Sequence, residues 1–545
     1  MNRRLPFLLP ILHSILAVAF KLVAGVNITA NPNGLTYWDA YWQNLPYVDL
    51  NTHLAESIWN LHAQPPLHNL YGALWIHLFP DMYLEAIHYA NIALGALICG
   101  MSYLILWRVT HSRTAALVGG LCITLNPGLF LFEAYMLYTV LSLFWIVACV
   151  WCVSLSSERP AMLYGFILCA NLLVLTRSMY HPLFLIACIG LTVLWRGVGW
   201  KRTLVIVSAI SLLGFGWATK NALQFGFWGT SSWTGLNLWR VVSSDYSPSE
   251  LDVLAVSGVI DPLVVELGPF TYPSSYRNHG FDRDSPVESL NRNNYHNINI
   301  PAIAQVYQRS AIALLTHDPR RYLRRALLTY NLYSCPATAY RHHVINREHI
   351  PALVDYYENG LYGASWWQSL NLRLFKQPAW CSVQYGFLPL SLIAYFAAAI
   401  WTTSRGRGPF LGLLRRDRVM LVLALFMVYN TLAGTLFEID ENARFKFLIE
   451  PLEWIFAMVL AHRLVSWLMT HLRPRSPLQT SMTPVPVITD PILPADRAAP
   501  VLGVDPLEFG PRGRPLAGWF VLTGLMIAVG MLLLAWQRLD KRARS

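Results

Sequence analysis

The stretch TYWDAYWQNLPYVDLNTHLAESIWNLHAQPPLHNL, residues 36–70, decides how the chain is read. It follows the first apolar run. It holds Asp39, Asp49 and Glu56, the histidines His53, His62 and His68, many Trp and Tyr, and no Lys or Arg. A loop beside a membrane needs only solubility, which any polar mixture supplies. Aromatic rings belong at a membrane interface in any case, and carboxylates there can be plainly hydrated. The meaning of this acidic, aromatic loop therefore depends on what surrounds it.

What surrounds it is greasy. Of 545 residues, 55% are hydrophobic and 13% charged; a soluble chain carries about 25% charge. The mean hydropathy is +0.39 and there are 21 Trp. This composition predicts an all-α polytopic membrane protein. The net charge of +11 is what cytoplasmic Lys/Arg flanks produce. No basic patch is interleaved with a soluble fold, which argues against a nucleic-acid partner. Cys99, Cys122, Cys149, Cys152, Cys169 and Cys188 lie in apolar runs and read as small core residues. Cys335 and Cys381 lie in a polar region and can pair if it faces an oxidising compartment. No CxxC pair or His/Cys cluster points to a metal site.

A span needs about 20 mostly apolar residues. Runs near 5–26, 83–107, 115–132, 134–155, 161–176, 179–195, 203–219, 384–402, 419–437, 448–467 and 516–536 predict about ten to eleven transmembrane helices. The first is long, contains Lys21 and lacks a clear small-residue cleavage site, which favours a retained helix over a signal peptide. Arg3 and Arg4 place the N-terminus in the cytoplasm. The loops holding Arg108, His111 and Arg113, then Arg196, Lys201 and Arg202, then Arg405, Arg407, Arg415, Arg416 and Arg418, fall on that same side. The tail with Lys541, Arg542 and Arg544 conflicts with this count, and Arg512 and Arg514 leave the orientation of the last helix open.

The expected organisation is an N-terminal membrane module, 1–219, whose first external loop, 27–82, carries interfacial helices. An external, partly helical region follows at 220–382, then membrane helices at 383–471. Residues 66–80, after the double proline, read as an external segment on the membrane surface. Helices are expected at 301–317 and 319–333, the second capped by Asp318 with Pro319 in its first turn. Its arginines, Arg320, Arg321, Arg324 and Arg325, suit either anionic headgroups or a solvated face. Residues 472–515 have the composition of a disordered, cytoplasmic Pro-rich linker, and 516–545 of a terminal hydrophobic helix with a basic tail. No internal repeat and no Gly-rich phosphate loop is found.

An acidic residue soon after the first helix, a Pro-Pro-Leu segment about 25 residues on, and a helix running back inward resemble the GT-C class of membrane glycosyltransferases. That class includes the dolichyl-phosphate-mannose protein mannosyltransferases and the lipid A aminoarabinose transferases. Three further stretches fit: NPGLFLFEAYMLYT at 126–139, LVLTRSMYHP at 173–182 and FEIDENARFKFLIEPLEW at 437–454. The resemblance covers residues 1–235 in the order of its parts and resumes at 436–455. The chain departs from the pattern where Ala40 follows Asp39 and where Gln64 precedes Pro65-Pro66, which marks a divergent branch.

The resemblance implies a hexosyl- or pentosyltransferase. It would use a polyprenyl-phosphate sugar donor and a glycan, lipid or protein acceptor, with its active site on the extracytoplasmic face. The acceptor hydroxyl must lose a proton as it attacks, so one carboxylate base is needed. A phosphate leaves as a stable anion, so cations serve it better than a second acid, and Arg offers a bidentate fork. One base and one displacement imply inversion. Asp39 is the expected base and Asp49 its rival; Glu56 reads as solvated. Arg177 is the leading phosphate ligand, against a plain snorkelling arginine. Lys220, Arg444 and Lys446 are further candidates, the last two with Glu438, Asp440 and Glu441 as ion-pair partners. His62, Gln64, Glu133 and Glu441 are expected to position substrate, Glu133 by orienting Arg177 or lining the pocket. No cofactor and no metal are assigned, although acidic groups of the first loop can hold a divalent cation. The rival reading is a non-enzymatic transporter or lipid flippase, which charges deep in the bundle would favour. A hydrolase or acyltransferase lacks its Gly-flanked nucleophilic Ser.

Overall fold

The computed structural model describes residues 5–28, 38, 41, 43–196, 199–281, 299–362, 384–404 and 417–471. The chain forms two units, 1–460 and 461–545. Of the second, only the helical residues 461–471 are described. No strand occurs among the described residues.

Helix α1, Leu5–Ala19, continues through a π turn, Phe20–Ala24, and ends on the left-handed Gly25. The first loop then carries three short helices: α2 (Tyr47–Thr52), α3 (Leu54–Trp59) and α4 (Pro66–Leu78). Pro66 occupies the first turn of α4, where its missing N–H costs nothing. At 13 residues α4 is too short to span. Helix α5, Tyr83–Thr110, is the longest.

Next come α6 (Arg113–Thr124) and α7 (Pro127–Glu133), which bend by 48° at their junction. The reason is local. Pro127 cannot continue a helix, and Asn126 caps the new one by accepting from the Gly128 N–H at 2.8 Å. The break matters because the chain leaves α7 through Ala134–Tyr138, a buried aromatic link.

Four helices follow: α8 (Thr139–Leu155), α9 (Met162–Thr176), α10 (Leu183–Arg196) and α11 (Trp200–Phe225). A further set comes next: α12 (Thr234–Ser243), α13 (Pro248–Val256), α14 (Leu263–Glu266), α15 (Pro273–Arg277), α16 (Ile300–His317) and α17 (Pro319–Tyr333). Asp318 caps α17 by accepting from the Arg321 N–H at 3.3 Å, with Pro319 in the first turn, as expected. Its arginines are not simply solvated. Arg321 pairs with Glu250 at 2.7 Å and with Asp318, and Arg324 pairs with Asp245. After α18 (Val344–His349) and α19 (Pro351–Asp355) come α20 (Gln384–Ser404), α21 (Arg418–Leu436), α22 (Asn442–Phe447) and α23 (Glu450–His471).

Ten of the expected apolar runs are thus helical, and 516–536 lies outside the described residues. Among the described residues, five helices are long and apolar enough to cross a membrane alone, or six if the bent pair α6–α7 is one span. Helices α8, α9 and α10, of 17, 15 and 14 residues, are shorter. Cys335 is disulfide-bonded; its expected partner, Cys381, lies outside the described residues.

The ends of the bundle separate as alternating spans require. At one end Arg418, opening α21, donates to the carbonyls of Ser156 and Trp195 at 3.5 and 3.2 Å, and Arg108 closes α5 against Glu158. At the other end lie the first loop, the α7–α8 link, the end of α9 and the turn before α22. Between the ends the core is continuous, with Leu9, Ile98, Phe132, Ile146, Leu173, Phe426 and Phe456 fully buried.

Candidate active site

Four elements converge on one buried point. Arg177 follows α9, where the chain turns extended. Arg444 lies on α22, and Glu441 in the turn before it. Tyr138 ends the α7–α8 link. The Arg177 guanidinium lies 4.3 Å from the Phe445 ring and 5.3 Å from the Tyr138 ring, and that of Arg444 lies 5.4 Å from Tyr138. Arg444 pairs with Glu441. Tyr340 approaches the same carboxylate at 3.5 Å and shares a 3.0 Å hydrogen bond with Tyr135.

The donors here are under-used. Nη1 and Nη2 of Arg177, and Nε and Nη1 of Arg444, are buried without a hydrogen-bond partner among the described residues. Two guanidinium charges face one carboxylate. Cation–π contacts return about 2 kcal/mol each when desolvated, against several kcal/mol for each buried ion. Burial, and then repulsion by Arg444, lowers Arg177 to about 10, so it still carries its proton at neutral pH. Burial opposes charge on Glu441, but Arg444, with Arg177, Arg341 and Arg240 behind it, holds the carboxyl below its ordinary value. The arrangement is a buried cation surplus with its N–H groups unspent. Chemically, it suits an anion with several oxygens.

The first loop is docked on this point. The Trp38 indole stacks on His68 at 5.2 Å, donates to the Leu45 carbonyl at 2.9 Å and lies over Gly72. A Cβ on Gly72 would stand 2.2 Å from the indole, so only glycine lets the loop lie this close. His68 meets Tyr138 edge-on at 5.4 Å. Burial, and then the Arg444 charge, pushes His68 down to about 3, keeping it neutral. Tyr41 packs on Tyr135 at 5.5 Å. Asp39 lies outside the described residues, between Trp38 and Tyr41 in sequence.

The other expected residues are placed differently. Asp49 is buried in α2, whose contacts run along α4 from Asn69, which accepts from the Leu45 N–H at 2.7 Å, to His77, within 3.1 Å of the Leu50 carbonyl. Lys220 donates to the Trp59 and Leu61 carbonyls at 2.8 and 3.0 Å and lies 4.1 Å from the Trp217 ring. It braces the loop end, not Arg177. His62, 3.1 Å from Ser232 Oγ, and the buried Gln64 belong to that same corner. Lys446 pairs with Glu453 on α23, away from the Glu438–Glu441 turn expected to hold it. Glu133 does not orient Arg177: it bonds His13 of α1 at 2.6 Å. Of the three carboxylates in the turn, only Glu441 meets Arg444. Glu438 and Asp440 pair with Arg240 of α12 at 3.6 and 2.8 Å. Burial, then repulsion by Glu441, pushes Glu438 up to about 7.

Sequence reasoning missed Tyr135, Tyr138, Tyr340, His342 and Arg240. Their signal was a density of rings and cations in 135–138 and in AYRHH, 339–343. His342 lies 5.8 Å from Tyr135 and 5.0 Å from Tyr340, and burial, then Arg341, lowers it to about 4. No group of three or more His, Cys, Asp or Glu able to hold a metal ion occurs among the described residues.

No protein-family model matches the chain, and no curated protein matches its sequence. Among solved structures it is similar to the archaeal oligosaccharyltransferase AglB of Archaeoglobus fulgidus in complex with an inhibitory peptide and a dolichol-phosphate. The identity is 15% and the TM-score 0.37, over 88% of this chain and 53% of that one. The apo form of the A. fulgidus enzyme gives 14% and 0.39, over 86% and 52%. ArnT of Cupriavidus metallidurans bound to undecaprenyl phosphate gives 14% and 0.31, over 79% and 77%. The chain spans about half the length of the oligosaccharyltransferase chains it matches. Values of this size assign no activity, and the reading of function rests on the site.

Proposed function

We propose that this chain is a membrane glycosyltransferase that moves a sugar from a polyprenyl-phosphate donor to an acceptor hydroxyl, with inversion at the anomeric carbon. The observation that carries the reading is Arg177: a fully buried guanidinium with both terminal nitrogens unpartnered among the described residues, beside a second arginine that one carboxylate only partly balances. The donor phosphate is the missing anion. Arg177 and Arg444 hold its oxygens and stabilise the charge that grows there as the glycosidic bond breaks. Asp39 is the base that takes the acceptor proton, with Asp49 as the alternative. In favour of Asp39, its nearest described neighbours in sequence, Trp38 and Tyr41, both pack against the rings that line the arginines. The sugar and the acceptor remain unassigned.

The test uses the full chain in nanodiscs, titrated with undecaprenyl phosphate and dolichyl phosphate. One of the two is expected to bind, and Arg177→Ala to weaken it on the order of 100-fold, as loss of one member of a buried charge pair does. Equal binding by wild type and variant, or none by either, overturns the site. Asp39→Asn should keep lipid-phosphate affinity while release of free lipid phosphate from a lipid-phosphate-linked sugar falls on the order of 1,000-fold. Undiminished release in that variant moves the role to Asp49.

A further inference from the structure

We propose that α17 is seated in the bilayer: its C-terminal half dips into the acyl region beside α21, and Arg320 and Arg325 in its first turns hold anionic lipid headgroups. The inference does not rest on the transfer reaction.

The first observation is the line of contact with α21, a helix long and apolar enough to cross the membrane. The Tyr322 hydroxyl donates to the Leu436 carbonyl at 2.9 Å, Thr329 Oγ1 to the Thr435 carbonyl at 2.6 Å, and Thr431 Oγ1 lies 3.5 Å from the Tyr333 hydroxyl. Moving along α17 from residue 322 to residue 333 therefore moves down α21 from its end toward its middle. At 1.5 Å per residue the travel is about 16 Å along α17 and about 7 Å along α21. Helix α17 thus enters at a slant, with its N-terminus at the end of the span.

The second observation is how α17's free side is made. Leu323, Leu327, Leu328 and Leu332 are exposed there, Leu327 by 64%. Helix α21 likewise exposes apolar residues, Val428 and Leu432. Four bare leucines within three turns are a poor surface for water. The arginines sit only in the first two turns. Polarity is therefore graded along the axis, charge at the shallow end and leucine at the deep end. That is the order in which a slanted helix meets headgroups and then chains.

The third observation fixes which charges remain. Arg321 is taken by Glu250 and Asp318, and Arg324 by Asp245. Arg320 and Arg325 have no ion-pair partner among the described residues, and Nε of Arg325 is a buried donor without one. Two unspent guanidiniums at the level where a span ends fit lipid phosphates. The buried side of the helix faces α22, where the Lys446 amine lies 5.8 Å from the Tyr333 ring.

The test places single spin labels at Leu328→Cys, Leu332→Cys and Arg320→Cys in the full chain, reconstituted in phosphatidylcholine nanodiscs. Labelling of the native thiols is corrected by the unsubstituted parent. Labels at 328 and 332 should be reached by oxygen and shielded from a water-soluble nickel chelate, and the label at 320 the reverse. Equal nickel access at all three positions overturns the seat in the bilayer. In mixed phosphatidylcholine and phosphatidylglycerol, enrichment of phosphatidylglycerol around the protein should fall by about fivefold per arginine in Arg320→Gln/Arg325→Gln. Unchanged enrichment overturns the headgroup contact.

Discussion

Arg444 and Lys446 are two residues apart on one short helix, both are buried, and their surroundings are opposite. Two residues of an α-helix turn through about 200°, so the two side chains leave α22 on different sides. Lys446 enters a pocket with more carboxylate than cation. It pairs with Glu453, and the neighbouring Glu450 accepts from Asn126 at 2.9 Å, the Ala337 N–H at 3.0 Å and the Tyr357 hydroxyl at 3.0 Å. Arg444 enters a pocket with more cation than carboxylate, and four guanidinium nitrogens there have no partner among the described residues. The difference teaches that buried charge does not by itself mark a site. The Lys446 network spends its cation on Glu453, leaving one acceptor, Glu453 Oε2, without a partner among the described residues, and holds α22 to α23; the Arg444 network has donor capacity left over.

That contrast has measurable edges. The largest effect is expected from Lys446→Met, which leaves Glu453 buried without its cation and should cost about 3–5 kcal/mol of stability. Denaturant unfolding of the full chain in detergent reads this. Lys446→Met/Glu453→Gln should recover most of the loss, and a double variant as unstable as the single would show that the pair is not what matters. A smaller effect of opposite sign is expected from Arg177→Met. Removing a guanidinium that lacks partners and repels Arg444 should raise stability by about 1–3 kcal/mol in the absence of lipid phosphate. A loss of stability instead would mean that Arg177 serves the fold as Lys446 does.

The last effect vanishes at neutral pH and grows only on acidification. His68, held down at about 3 against an ordinary value of 6.5, is neutral in the folded chain and takes a proton on unfolding below that ordinary value. Stability should be flat above about pH 6.5 and decline as pH falls toward 3. His342, lowered to about 4, adds to the same slope. His68→Gln should flatten part of it, as melting temperatures between pH 7 and pH 4 would report.

Much of the fold was legible because length and apolarity announce helices, and Asn126-Pro127 and Asp318-Pro319 announce where they restart. That Arg177 and Glu133 stand at helix ends was legible too, since each closes an apolar run. The side of the helix was not. The sequence leaves Glu133 to orient Arg177 or line the pocket, but Glu133 faces α1 and bonds His13, 120 residues away in sequence. Lys220 looked like a phosphate ligand because it ends an apolar run. Its amine is instead spent on two loop carbonyls. Partner choice among buried charges depends on azimuth and on distant chain, which spacing does not encode. Tyr138, between the two arginines, carries no signal of its own in the sequence, because a single tyrosine at a helix start has no distinguishing pattern.

The turn ahead of Arg444 has a consequence for how two substrates would influence one another. Asp440 sits there with φ of 78°, a conformation that residues other than glycine seldom take. It is gripped by Arg240, which also donates to the Ile439 carbonyl at 3.2 Å. Arg240 belongs to α12, which packs against α16 and α17. A molecule landing on those helices and shifting α12 must therefore pull on the turn that presents Glu441 to Arg444. By thermodynamic reciprocity, whatever Arg444 holds would then set how firmly that visitor is kept, by the same factor.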